Sequence, residues 1–244
     1  MGELAGAGKI DPREAAVRRR LSEIGTILPV VSSKGGVGKS LLSTVLALLL
    51  SRRGYRTGLL DLDFHSPSVH LILGERGKPG EERGLLPAEV QNLKFLSVIH
   101  FSGERPLLLR KEGISSSLLE LLSTTRWGTL DYLVIDMPPG SGDELLELLR
   151  LAREAEFLVV STPTRLCRES VERMVRGLRE AGARMAGLVE NFSSFPSSSW
   201  EGVRLLGRIR HDPEVEGAVG RVDRLLRTSF ARDVEGVLEE YLRG

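Results

Sequence analysis

Residues 27–40 read ILPVVSSKGGVGKS, and most of the architecture can be worked out from them. The run 27–31 is continuously apolar, the pattern of a parallel strand covered on both faces. A glycine-rich turn follows, and then an apolar helix over 41–53 that Gly54 ends. Strand, glycine turn and helix in that order make a phosphate-binding loop, whose general pattern is G-x-x-x-x-G-K-[ST]. Gly38-Lys39-Ser40 matches its end, while Ser33 stands at the first glycine position. Gly35, Gly36 and Gly38 let the backbone curl so that its N–H groups meet phosphate oxygens at a helix N-terminus. Val37 and Leu41 complete the nucleotide-contacting stretch. Lys39 is expected to neutralise β- and γ-phosphate charge, and the Ser40 hydroxyl to ligate Mg²⁺. A second Gly-Lys pair, Gly8-Lys9, has no strand before it and the wrong spacing.

Working outward, strands are expected at 58–63, 93–101, 132–136, 157–161, 185–190 and 204–209. Helices are expected at 12–24, 114–123, 143–153, about 168–181 and roughly 231–242, the first with Asp11 as N-cap and Pro12 at its first position. Alternation of this kind implies an α/β, doubly wound, mostly parallel sheet with helices on both faces. Residues 1–24 read as an N-terminal helical extension and 25–244 as the nucleotide-binding domain. Ligands in such sheets sit beyond the carboxyl ends of the strands, so acids placed there matter. Asp136 ends an apolar strand, as an acid holding a metal should. Asp61 and Asp63 alternate with Leu62, so an extended chain projects both to one side. One of them is placed to orient an attacking water, and Asp63 also counts among the metal-contacting groups.

Composition narrows the partners. The 244 residues carry 34 Lys+Arg against 33 Asp+Glu, a net charge of +1, which gives no global field for capturing nucleic acid or acidic lipid. The longest apolar run, 41–50, is half of what a bilayer requires. No secretory leader is apparent, and the expected setting is cytoplasmic. A single cysteine, Cys167, excludes an intramolecular disulfide or a multi-cysteine metal site in one chain, and the four histidines show no ligand spacing.

Only six lysines occur in the chain, two of them inside KGGVGKS. That motif, with Lys34 near its start, resembles the deviant phosphate loop of the MinD/ParA/Mrp-type ATPases. The resemblance implies ATP or ADP as ligand and a homodimer with two nucleotides at the interface. It also implies that Lys34 reaches the partner's phosphates, and that the second acid of the D-x-D, Asp63, orients the water. Further stretches narrow it to the Mrp family of iron–sulfur cluster carrier ATPases. The segment 136–143, DMPPGSGD, is similar to that family's D-M-P-P-G-T-G-D. The segment 61–69, DLDFHSPSV, resembles D-x-D-x-x-G-P-S with Ser66 in place of glycine. Trp127-Gly128 with 131–133, the Ser161-Thr162-Pro163 tripeptide and 189–193 (VENFS) match further family motifs. By this resemblance Asn191 contacts adenine, Pro213 lies near the base, and iron–sulfur client or assembly proteins are partners.

One departure stands out. The family follows V-E-N-M-S with C-P-x-C, through which two subunits hold a 4Fe–4S cluster. Here 195–199 read FPSSS, and serine hydroxyls are poor ligands where soft thiolates are needed. The competing readings are a MinD- or ParA-type positioning ATPase and a weakly hydrolysing nucleotide-dependent adaptor. The acidic end of the chain argues against a MinD-type basic membrane helix. The arginine-rich stretch 221–232 reads as solvated surface rather than a DNA contact.

Overall fold

The computed structural model describes residues 11–75, 77, 79–102, 111–140, 142–193 and 200–244. The serine-rich stretch 195–199, Ser141 of the DMPPGSGD segment and the Gly8-Lys9 pair lie outside the described residues.

The chain begins with α1 (Pro12–Leu21), capped by Asp11, whose carboxylate accepts the Arg13 amide at 2.9 Å. It continues through β1 (Ile24–Ser32), α2 (Lys39–Arg52), β2 (Thr57–Asp61) and α3 (Val69–Leu73). A small hairpin, β3 (Gly80–Glu81) with β4 (Leu85–Leu86), precedes β5 (Ala88–Val90), β6 (Leu93–Ser97) and α4 (Ile99–Ser102). Next come α5 (Lys111–Thr124), β7 (Leu130–Asp136), α6 (Asp143–Leu151), β8 (Glu156–Ser161) and α7 (Arg165–Glu180). The last elements are β9 (Arg184–Glu190), β10 (Leu205–Arg208), a short 3₁₀ turn, α8 (Val222–Leu225) and α9 (Ser229–Arg243).

Eight strands form one sheet in the order β10-β9-β8-β1-β7-β2-β6-β5. Every neighbouring pair is parallel except β5 with β6. This is the doubly wound arrangement expected from the alternation of apolar runs. The inner strands are buried almost throughout, as double coverage requires. Helices α2 and α9 pack together, while α1, α5 and α6 form a second packed group. Helix α1 belongs to that group: Val17 is fully buried and Arg150 pairs with Glu14 at 2.8 Å. Trp127 and Leu130 press against Gly58 so closely that a β-carbon there would collide with Leu130. No described helix is long and apolar enough to cross a membrane.

The structure departs from expectation in three places. Helix α2 starts at Lys39, two residues earlier than its apolar run, so the phosphate lysine sits in its first turn. The strand expected to reach residue 101 stops at Ser97, and residues 99–102 turn helical. His100 folds back there and accepts the Ser97 amide on Nδ1 at 3.2 Å, which withdraws that donor from the sheet. Strand β2 ends at Asp61, so Asp63 lies beyond the strand expected to include both.

Candidate active site

The carboxyl ends of β1, β2 and β7 meet at one place, because β1 pairs with β7 and β7 with β2. Out of β1 runs the loop 33–38, in which Gly36 and Gly38 adopt φ of 76° and 81°. Side chains rarely enter that left-handed region, and at Gly38 a β-carbon would also collide with Asn191 Nδ2. Gly35 differs from the expectation that all three glycines serve the curl. Its φ is not left-handed, and a β-carbon there would meet only Pro139, at an ordinary 3.9 Å. The curl thus depends on Gly36 and Gly38, while Gly35 lines the cavity without being required by backbone conformation.

Gly38 caps α2 without any side-chain hydrogen bond, so the first amides of the helix are left for a ligand. Residues 34–41 and Asp63 line one cavity of about 270 Å³, with Ser68, Ile72 and Pro139 at its walls. Asp63, read from a separate stretch of the sequence, is thereby brought to Lys34, Lys39 and Ser40 of the loop. A larger cavity of about 610 Å³ lies at the other end of the sheet, near the starts of β1, β8 and β9. It has none of the phosphate-loop groups, so size does not pick out the chemistry here.

Asp136 is completely buried. Its Oδ1 accepts the Lys39 ammonium at 2.6 Å and the Ser43 hydroxyl at 2.9 Å, while its Oδ2 is buried with no hydrogen-bond partner. An unpartnered buried carboxylate oxygen costs free energy unless a donor or cation meets it. Magnesium prefers hard oxygen ligands and keeps several waters, which fits this oxygen together with the Ser40 hydroxyl. With magnesium bound, these two residues would hold it, and its charge would offset that of transferring phosphate oxygens.

Asp61 stands opposite Asp136 in the strand pairing. Burial, and then the Asp136 carboxylate, push Asp61 up to about 7. Its oxygens accept the Asp63 amide at 3.1 Å, the Val69 amide at 3.3 Å and the Ser97 hydroxyl at 3.1 Å. Asp61 therefore ties three segments together behind the cavity, and Asp63 is the acid that faces it. Asp63 Oδ1 also accepts the amides of His65 and Ser66 at 3.1 and 2.9 Å, closing the turn that holds it.

Asn191 is buried and braces the loop: its Nδ2 donates to the Val37 carbonyl at 2.8 Å and its Oδ1 accepts the Phe192 amide at 2.9 Å. Phe192 adopts φ of 55° and is 37% exposed, with its ring 5.9 Å from that of His211. That contact joins the turn after β9 to the loop bearing Pro213, which is exposed and does not line the phosphate cavity. Asp212 clips the same loop to α9, accepting the Ser229 hydroxyl at 2.7 Å and the Phe230 amide at 3.0 Å. The Ser229 bond, outweighing burial, holds Asp212 down to about 2.

Sequence reasoning missed Ser43, Ser97 and the Phe192–His211 pair. Serine inside an apolar helix carries no pattern of its own, and a left-handed phenylalanine leaves no mark in composition. Cys167 lies in the first turn of α7, 3% exposed, and its thiol accepts the Ser161 hydroxyl at 3.5 Å. Burial would raise this thiol, but hydrogen bonds involving Ser161 and Thr162 bring it below its ordinary range. Among the described residues no three His, Cys, Asp or Glu side chains gather as metal ligands.

Residues 23–209 match the ParA family profile described as the NUBPL iron-transfer P-loop NTPases. An iron–sulfur cluster carrier protein of Aquifex aeolicus is 34% identical over 221 residues, covering 81% of this chain and 61% of that protein. The chain thus spans about three fifths of that relative's length. A nucleotide-binding protein of Archaeoglobus fulgidus, solved in complex with ADP, superposes with a TM-score of 0.71 at 30% identity, covering 88% of this chain and 93% of that one. The cell division ATPase MinD of Pyrococcus furiosus superposes with a TM-score of 0.67 at 22% identity, covering 90% and 99%, which establishes the shared fold.

Proposed function

Because this chain belongs to the NUBPL-type iron-transfer P-loop NTPases of the ParA class, we propose that it is a magnesium-dependent ATPase serving iron–sulfur cluster transfer in the cytosol. The observation that carries this reading is the convergence of residues 34–41, Asp63 and Asp136 at the ends of three adjacent strands. In it, the loop amides and Lys39 bind the phosphates, and Asn191 with the 211–213 loop receives the base. Ser40 and Asp136 hold magnesium. Asp63 orients water for in-line attack, a step that needs positioning and charge stabilisation rather than covalent chemistry. Lys34 acts across a dimer, on the phosphates bound by the partner. Steady-state phosphate release in Mg²⁺ and ATP tests the reading: Asp63→Ala is expected to lower it at least ~100-fold, the usual scale for a positioned acid or base. Unchanged release in that variant would remove Asp63 from the reaction.

The cluster is cargo, and this chain's own side chains do not suit it. The only thiol is Cys167, inside the fold, so a dimer would offer two buried thiols where four exposed ones are needed. We infer that the protein works on a cluster held by a partner's cysteines, with ATP binding controlling the encounter. Anaerobic reconstitution with iron and sulfide is expected to leave less than one cluster per dimer. A stoichiometric 4Fe–4S spectrum from the purified chain would overturn this division of labour.

A further inference from the structure

Helix α2 is aliphatic along most of its buried length, yet it carries the hydroxyls of Ser43 and Thr44 side by side. Thr44 does what hydroxyls in helices usually do, donating to the carbonyl one turn back, Ser40, at 2.7 Å. Ser43 has the same option in Lys39 O at 2.9 Å, and a second acceptor, Asp136 Oδ1, also at 2.9 Å. It is fully buried and has one hydrogen to share between them. Among the described residues, Lys39 and Ser43 are the two side chains that donate to Asp136.

This arrangement matters once the site is loaded. Resting on the proposed nucleotide reading, Lys39 turns toward a phosphate, and its three-donor ammonium is then shared between that phosphate and Asp136. The carboxylate then keeps its burial with a weaker hold on its cation, and Ser43 is the other donor within reach. We propose that Ser43 is a positioning residue for the magnesium site. Its hydroxyl shifts from the Lys39 carbonyl to Asp136 Oδ1 as Lys39 turns toward phosphate, fixing the carboxylate so that Oδ2 addresses the cation. The neighbouring acid adds to the need, because Asp61 faces Asp136 across the strand pair. A hydroxyl that holds one oxygen in place prevents the carboxylate from turning as its partner changes.

The test compares the affinity for a fluorescent ADP analogue in Mg²⁺ with that in EDTA, for wild type, Ser43→Ala, Ser43→Cys and Ser43→Thr. The wild-type gain from Mg²⁺ is expected to shrink about tenfold in Ser43→Ala, the scale of one hydrogen bond to a charged group. Ser43→Cys, close in volume but a poor donor, is expected to lose most of the gain. Ser43→Thr, which keeps the hydroxyl, is expected to retain it. A purely structural role would lower both affinities by the same factor and leave their ratio intact, and that result would overturn the proposal. If Ser43→Ala does not fold, the Cys and Thr pair decides alone. A wild-type protein that binds no ADP would overturn the nucleotide reading instead, and one indifferent to Mg²⁺ would overturn the metal reading.

Discussion

Lys39→Ala is expected to abolish measurable nucleotide binding and to cost the nucleotide-free protein about 3–5 kcal/mol of stability, the range for breaking a buried ion pair from one side. Both effects come from one side chain with two partners. Lys39 is 6% exposed and its ammonium lies 2.6 Å from a carboxylate with no exposure at all. Removing the lysine leaves Asp136 with one hydroxyl donor, opposite Asp61 on the adjacent strand. Two neighbouring buried carboxylates cannot both stay ionised cheaply. Urea denaturation and ADP titration on the same samples measure the two consequences. The double variant Lys39→Met with Asp136→Leu separates them. Replacing a whole buried pair with apolar side chains is often neutral for stability, so folding should recover while binding stays lost. A single variant as stable as wild type would mean that the pair contributes nothing to the free fold.

The second large effect is expected at Lys34, the other lysine of the loop. Lys34→Ala should lower ATP turnover about 10³-fold, the lower end of what a cationic finger contributes to phosphoryl transfer. Lys34 is exposed at the mouth of the phosphate cavity and forms no ion pair among the described residues. Its ammonium is therefore free to meet charge from outside its own subunit. A mixing experiment separates action across subunits from action within one. Lys34→Ala chains keep Asp63, and Asp63→Ala chains keep Lys34. In a mixed dimer the first chain's site receives the second chain's lysine, so combining two nearly inactive proteins should restore turnover. No recovery on mixing, despite dimers forming, would place Lys34 in its own subunit's site.

How much of this was legible in the sequence depended on what kind of constraint each residue obeys. The phosphate loop was readable because strand, glycine turn and helix follow one another within a few residues, and the place of Asp136 because it directly ends an apolar strand. Within the loop, composition alone did not tell Gly36 and Gly38, which need their left-handed φ, from Gly35, which does not. The central strands were readable because double coverage forces continuous apolar runs. The antiparallel strand β5, the β3–β4 hairpin and α3 were not, being two to five residues long and held by the elements around them. The division of labour between Asp61 and Asp63 was half legible. Alternation put them on one side, but the strand ends between them, so one became a buried anchor and the other faces the cavity. Ser43 was invisible because its second acceptor is 93 residues away in the chain.

The order of the sheet also bears on how two copies can meet. One edge is β5, three residues long, and the other is β10, four residues long with an irregular register where it pairs with β9. Helix α9 lies against β10, and Val237 sits so near Gly207 that a β-carbon there would strike it. Short and interrupted borders offer a poor template for adding strands from another molecule. Self-association by extending the sheet is therefore disfavoured at both ends, and growth into open-ended polymers along that direction is discouraged with it. The loops above the strand termini line the phosphate cavity, so occupancy by a nucleotide there would change the shape a neighbour meets.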